Sequence, residues 1–228
     1  MEAIKFAKRP GICNKFDFIN EPLVSVQEYF NGRVQVDPVY YRKGIDGAVE
    51  DMRLRKSVID HLETALSLLP DEYTFKIFDA WRPLSVQQVL FDDYFKRVSV
   101  RCSGFPREII IDEVERFVTT LSSDIEKPFV HATGGAVDLT VINKNTGDAL
   151  DMGTEFDDFL PSSGTCYFEK MNPDIRSEDV LMNRRLLYWT MINAGFTNFP
   201  SEWWHYDFGN AFWGFYSDMP VMYKGIFD

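Results

Sequence analysis

The chain contains three histidines, and two of them stand near acidic residues at spacings that suit a metal site. His131 precedes Asp138 by seven positions, and the residues between them are mostly small, so both side chains can turn toward one ion. His205 ends the segment S-E-W-W-H, three positions after Glu202. Catalytic zinc takes three protein ligands and keeps a fourth position for water. His131, Asp138 and His205 therefore form a complete predicted set of zinc ligands.

Glu202 and Arg82 carry the remaining chemistry that hydrolysis requires. A carboxylate beside an activated water molecule can accept its proton, so Glu202 is predicted to be the general base and not a ligand. Arg82 lies in F-D-A-W-R-P, directly before a proline that restricts the backbone, and its guanidinium can meet a developing oxyanion. Two simpler interpretations stay open: Arg82 pairs with Asp79 or a surface carboxylate, and the placement of the His and Asp residues is coincidental.

Other reactive or aromatic residues are predicted to be structural. His61 lies beside Asp60 in a helical segment without ligand spacing, and Cys102 has no base near it in the sequence. The aromatic side chains of the last thirty residues are typical of a core, among them Trp203, Trp204, Phe208, Phe212 and Trp213.

The elements that must position these residues alternate irregularly between helices and strands. Apolar residues at helical spacing predict helices over residues 56–69, 85–97, 108–121 and 177–194, with Ser85 and Gln88 as a capping box for the second. Alternation predicts strands over residues 73–79 and 129–142, the second interrupted near Gly134 and Gly135. The polar segment 143–172 is predicted to be a long loop at the rim of a cleft. This mixture favours an α+β fold.

Composition limits the classes of function. The 228 residues, 45% of them hydrophobic, suit a single domain over residues 1–228. A formal net charge of -11 argues against nucleic acid as a partner, and no apolar stretch reaches the length of a membrane span or a signal peptide core. Three scattered cysteines indicate reduced thiols, so a cytoplasmic location is expected. The oligomeric state is not predicted.

Several motifs, in order and spacing, resemble the VanX-type D-alanyl-D-alanine dipeptidases over most of the chain. They are F-D-A-W-R-P, H-A-T-G-G-A-V-D-L-T, D-M-G-T-E-F-D, N-R-R-L-L and S-E-W-W-H-Y-D. The resemblance implies a Hedgehog/DD-peptidase-like fold with a central antiparallel sheet flanked by helices. It also implies one Zn²⁺ per chain on His131, Asp138 and His205, with Glu202 as base and Arg82 steadying the tetrahedral intermediate.

The implied substrate is D-alanyl-D-alanine or a closely related small peptide. One position departs from the family pattern S-x-H-x-x-G-x-A-x-D, because Phe129 stands where the pattern has a serine associated with holding the substrate. The alternatives are a D,D- or L,D-carboxypeptidase acting on longer cell-wall peptides, which needs an open cleft, and a non-catalytic zinc-binding module, which needs neither Glu202 nor Arg82.

Overall fold

A five-stranded sheet with helices packed against it organises the chain. A computed structural model of the protein describes residues 1–122 and 124–227. Within these residues no helix combines the length and the apolar character needed to cross a bilayer. Short 3₁₀ helices at Val130–Thr133, Pro161–Ser163 and Phe168–Lys170 lie in the connections. The strands are β1 (Leu23–Ser25), β2 (Gln35–Val36), β3 (Arg53–Arg55), β4 (Tyr73–Asp79), β5 (Ala136–Asn143), β6 (Thr197–Asn198) and β7 (His205–Asp207), and the helices are α1 (Val26–Phe30), α2 (Val39–Arg42), α3 (Lys56–Leu68), α4 (Leu84–Arg101), α5 (Arg107–Val114), α6 (Glu178–Asn193) and α7 (Ala211–Ser217).

The sheet has the strand order β2-β4-β5-β7-β6. Adjacent strands of this sheet pair antiparallel except at one edge, where the short strand β2 runs parallel to β4. Strands β1 and β3 form a separate antiparallel ribbon. The predicted α+β class, with a central antiparallel sheet flanked by helices, is confirmed.

Strand β5 separates the core from the site because its successive side chains point to opposite faces. Val137, Leu139 and Val141 are fully buried in the main hydrophobic cluster, together with residues of α3 and α6. Asp138 therefore points to the other face of the sheet. The alternation in the sequence correctly predicted that an acidic side chain is presented opposite the core.

Three predicted elements have nearly the predicted bounds. Strand β4 spans the predicted residues 73–79, and α3 stops just before Pro70, which cannot continue a helix. Helix α6 begins after Ser177, whose side chain accepts a hydrogen bond from the amide of Val180. Glu178 and Asp179 in its first turn complement the positive end of the helix dipole.

Three local predictions were wrong. Helix α4 begins at Leu84, so Ser85 already lies inside the helix, and no side chain caps its start. Helix α5 ends at Val114, seven residues before the predicted end at position 121, and the following residues turn toward the site. The first part of the predicted strand 129–142 is the 3₁₀ helix Val130–Thr133, which ends where Gly134 takes a left-handed conformation with φ 70°.

Candidate metal centre and active site

The register of the sheet brings two of the predicted ligands together. Asp138 on β5 pairs with His205 on β7, although 66 residues separate them in the chain. His131 arrives from the 3₁₀ helix that leads into β5. One possible ligand atom from each of the three side chains lies within 4.8 Å of the other two, and all three residues are buried.

The hydrogen bonds of this triad leave its acceptor atoms facing one another. The Nδ1 of His131 lies 2.7 Å from the carbonyl oxygen of Ala80, which can only accept, so this nitrogen carries the proton. The Nε2 of His205 likewise lies 3.0 Å from a carboxylate oxygen of Asp207. When the proton of neutral His205 lies on Nε2, the two inner nitrogens, 3.2 Å apart, present lone pairs to each other.

Asp138 adds a carboxylate oxygen 2.9 Å from the inner nitrogen of His205. Three converging acceptors repel one another unless a cation or a proton lies between them. Two imidazoles and one carboxylate are also the ligands that catalytic zinc takes, and the outer bonds to Ala80 and Asp207 are the second layer that orients such ligands. The donor set fits a zinc ion.

Electrostatics within the triad favour a bound cation as well. Burial alone would raise the pKa of Asp138, but the two histidines hold it well below its ordinary value. Burial alone would lower the pKa of His205, but Asp207 and Asp138 raise it well above its ordinary value. A proton on His205 therefore competes with a metal ion, and metal binding should weaken at acidic pH.

Arg82 is clamped beside the triad. Its Nε and Nη2 lie 2.8 and 2.7 Å from one oxygen of Asp79, and the Nη1 donates to Gln87 over 2.6 Å. The ring of Tyr40 lies under the guanidinium, 5.0 Å from the ring centre to Cζ. Arg82 does pair with Asp79, as the simpler interpretation expected. The pair is buried, and Nη2 of Arg82 lies 3.6 Å from a carboxylate oxygen of Asp138.

Glu202 lines the same pocket and is only 6% exposed. Its backbone is held by Asn198, whose amide donates to the carbonyl of Glu202 over 3.0 Å. Its carboxylate takes part in no hydrogen bond with any residue in the described part of the chain. Burial raises the pKa of Glu202 well above its ordinary value, so this carboxylate holds a proton more readily than an exposed glutamate.

Asp157 is a site residue that the sequence reasoning missed. It comes from the loop predicted to form the rim, lines the pocket, and accepts a hydrogen bond from Tyr40 Oη over 3.1 Å. Burial raises its pKa to about 6, despite Lys43 at 3.6 Å. In the sequence, Asp157 is the last residue of the motif D-M-G-T-E-F-D, and no role was predicted for it.

Aromatic side chains form most of the remaining pocket wall. Phe129, the position that departs from the family pattern, is buried there and contributes an apolar surface in place of a hydroxyl. Trp204 and Phe212 also line the pocket. Trp204 belongs to the main core as well, together with the other predicted core aromatics Trp203, Phe208 and Trp213. Further wall residues are Phe117, Phe159 and Phe199.

His61 lies outside this site. Its Nδ1 contacts the carbonyl of Ala194 at 2.7 Å, and its ring packs on Phe208 with centres 3.9 Å apart. The prediction that His61 has a structural role agrees with these contacts.

A buried site with two imidazoles, one carboxylate, a free acid and a clamped arginine has the composition of a mononuclear metallohydrolase. Comparison with known proteins narrows this class. The peptidase M15 family, described as D-Ala-D-Ala dipeptidase, matches residues 48–223. The chain belongs to this family of zinc-dependent peptidases.

Known relatives carry the same name. The D-alanyl-D-alanine dipeptidase of Synechocystis sp. is 30% identical over 175 residues, which cover 70% of each chain. That of Escherichia coli K12 is 28% identical over 159 residues, covering 69% of this chain and 67% of the relative. A solved structure described as VanYB in complex with D-alanine-D-alanine shares 13% identity with a TM-score of 0.47, covering 93% of this chain and 90% of the other.

Proposed function

We propose that this chain hydrolyses D-alanyl-D-alanine or a closely related dipeptide, and that residues 1–228 act as a single zinc peptidase domain. The observation that carries the proposal is the convergence of three acceptor side chains with a free acid and a clamped arginine in one buried pocket. In this proposal His131, Asp138 and His205 hold one zinc ion. Bound zinc would supply a Lewis acid that polarises the peptide carbonyl and lowers the pKa of a water molecule.

Glu202 acts as the general base. Its carboxylate lines the pocket without a hydrogen-bond partner among the described residues, so it is free to take a proton from the attacking water. The environment that raises its pKa also lets it keep that proton until the peptide bond breaks. Glu202 then delivers the proton to the leaving amine, which departs as a neutral group.

Arg82 stabilises the oxyanion that forms on the carbonyl carbon. Asp79 engages the Nε edge of the guanidinium, and Gln87 holds its Nη1 end, so the orientation is set before substrate arrives. Donors that are already oriented need no rearrangement during the reaction, which is the main source of their catalytic value. Burial lowers and Asp79 raises the pKa of Arg82, with a net rise, so the guanidinium stays charged at any working pH.

Asp157 binds the free amino group of the substrate. Its carboxylate faces the pocket and is fixed by Tyr40, so an ammonium group entering the pocket finds an opposite charge in a poorly solvated place. This contact selects peptides with a free amino terminus. Phe129 replaces a hydroxyl with an apolar wall, so the C-terminal residue is held by packing at this position.

A carboxypeptidase acting on longer peptides is the second candidate. A groove lined by Phe6, Leu160 and Tyr167 adjoins the catalytic pocket and shares Phe117 and Phe159 with it, so a longer chain has a surface to follow. The dipeptidase is favoured because the rim loop places Asp157 inside the pocket, where a longer peptide would have no ammonium group to offer.

The decisive experiment measures D-alanine released from D-Ala-D-Ala and from N-acetyl-D-Ala-D-Ala by zinc-loaded protein. We expect release only from the free dipeptide. Glu202→Gln should lose at least ~10²-fold in kcat while keeping its zinc, because general base catalysis typically contributes that much. Glu155→Gln, an exposed acid of the rim loop, is the matched control and should match wild type. Release from the acetylated peptide alone would favour the carboxypeptidase, and release from neither would refute both.

A further inference from the structure

Gln87 is a buried amide with both of its polar ends engaged. It lies near the start of α4, is 2% exposed, and accepts from Arg82 Nη1 over 2.6 Å through Oε1. Its Nε2 donates to the carbonyl oxygen of Thr119 over 2.9 Å. The amide cannot be reversed, because reversal would place NH₂ against the guanidinium and two carbonyl oxygens against each other.

Gln87 completes the clamp on Arg82. Asp79 binds the guanidinium along one edge, but a single carboxylate oxygen leaves the group free to pivot about that point. The bond from Nη1 to Gln87 supplies a second fixed point and removes that pivot. One N–H of Nη1 and one of Nη2 are then left to meet a substrate oxygen.

The other end of Gln87 reaches the pocket wall formed by residues 117–119. These residues follow α5, and Val118 packs in a second apolar cluster with Tyr94 and Val98 of α4. The carbonyl of Thr119 accepts a hydrogen bond from Gln87, so the side-chain amide of Gln87 is bonded both to the wall segment and to the guanidinium of Arg82. A shift of this wall segment therefore moves the group that holds Arg82.

We propose that Gln87 is a positioning residue that sets the orientation of Arg82 and couples it to the wall segment 117–119. This inference rests on the proposed role of Arg82 in hydrolysis. Gln87 carries no charge and donates to no reacting atom, so its effect passes through Arg82. Its loss lowers kcat more than it raises KM, because a misplaced guanidinium weakens contacts made in the transition state.

A double-mutant cycle tests the coupling. Gln87→Leu keeps the approximate volume and removes both hydrogen bonds, so kcat should fall on the order of 10-fold, the usual effect of losing a hydrogen bond to a charged group. In an Arg82→Ala background the same substitution should change kcat less than twofold, because the group it positions is gone. The exposed neighbour Gln88 supplies the control: Gln88→Leu should match wild type in both backgrounds.

Equal losses from Gln87→Leu in the two backgrounds would overturn the proposal, because Gln87 would then act through the fold or the wall alone. Gln87→Glu guards against misfolding of the leucine variant: it keeps an acceptor for Arg82, and we expect it to retain more kcat than Gln87→Leu. An equal loss of kcat in Gln87→Glu and Gln87→Leu would also refute the assignment to Arg82.

A readout without substrate separates this proposal from the proposed function. The Nε–H of Arg82 should give a slowly exchanging signal in ¹⁵N NMR that Gln87→Leu accelerates and Gln88→Leu does not. Failure of wild type to cleave dipeptides would refute the proposed function, whereas unchanged Nε–H exchange in Gln87→Leu would refute the positioning role.

Discussion

Asp207 allows a test of the proposed metal site that leaves the substrate pocket untouched. Its carboxylate oxygen lies 3.0 Å from Nε2 of His205 and 2.6 Å from the side-chain nitrogen of Asn210, which donates to it. Asp207→Asn keeps an oxygen that can accept both hydrogen bonds but removes the negative charge behind the imidazole. Outer partners of metal-bound histidines contribute about 10–100-fold in affinity. We expect Asp207→Asn to lose zinc affinity at the lower end of this range, about 10-fold or ~1.4 kcal/mol, because the hydrogen bonds survive.

The assay is a competition for zinc against a chromophoric chelator at neutral pH, with bound zinc counted by mass spectrometry. Asn210→Ala is the matched control. Asn210 caps α7 by accepting from the amides of Phe212 and Trp213, each at 3.1 Å, and loss of such a cap costs about 1 kcal/mol of folding stability. The bond between His205 and Asp207 remains, so this variant should melt earlier and bind zinc nearly as tightly as wild type.

Two results would refute the reasoning. Wild-type zinc affinity in Asp207→Asn would mean that the charge of Asp207 does not strengthen His205 as a ligand. Equal loss of affinity in Asp207→Asn and Asn210→Ala would mean that both act only by loosening the fold around β7.

Four further predictions concern other parts of the molecule. Arg82→Ala should lose about 10²-fold in kcat with its zinc content unchanged, and unchanged turnover would remove Arg82 from the mechanism. The wild-type KM should rise as pH falls below about 6, where Asp157 takes up a proton, whereas Asp157→Asn should show a high KM without this acid limb. Because the pKa of Asp157 is raised in the folded protein, its protonated form stabilises the fold, and this stabilisation is lost as pH rises from about 4 to 6. Asp157→Asn should therefore melt a few degrees higher than wild type at pH 7.5, and a lower melting temperature would contradict this. Ser177→Ala should cost about 1 kcal/mol in denaturant unfolding without altering zinc binding or kcat, since it removes only the cap of α6.

Regular periodicity made parts of the fold predictable. Helices α3 and α6 and strand β4 have strong apolar patterns and clear stop or cap signals, and their observed bounds are close to those predicted. Element ends near the site were not predictable in the same way. Helix α5 stops at Val114 although the sequence continues with helix-compatible residues, and the carbonyl of Thr119 is instead tied to Gln87.

The five residues predicted to carry the chemistry lie in one pocket, and their roles there stay predictions. Histidine is scarce in this chain and glutamate beside a histidine is recognisable, so local residue types were enough to select them. The residues around them carried a weaker signal: Asp79 was only a possible partner of Arg82, Asp157 ended a motif without a predicted role, and Gln87 was not singled out. Asp79, Gln87 and Asp157 are common residue types, and their importance comes from their contacts with groups distant in the sequence.

The sequence by itself determined the residue types for hydrolysis, the α+β pattern and the family motifs, because each depends on side-chain chemistry or on spacing within a short segment. Only the tertiary structure decided which atoms face inward. The pairing of Asp138 with His205 across β5 and β7, and the proton-accepting partners Ala80 and Asp207, depend on strand register and on contacts between distant segments. Such contacts follow from how the whole chain packs, and no local pattern encodes them.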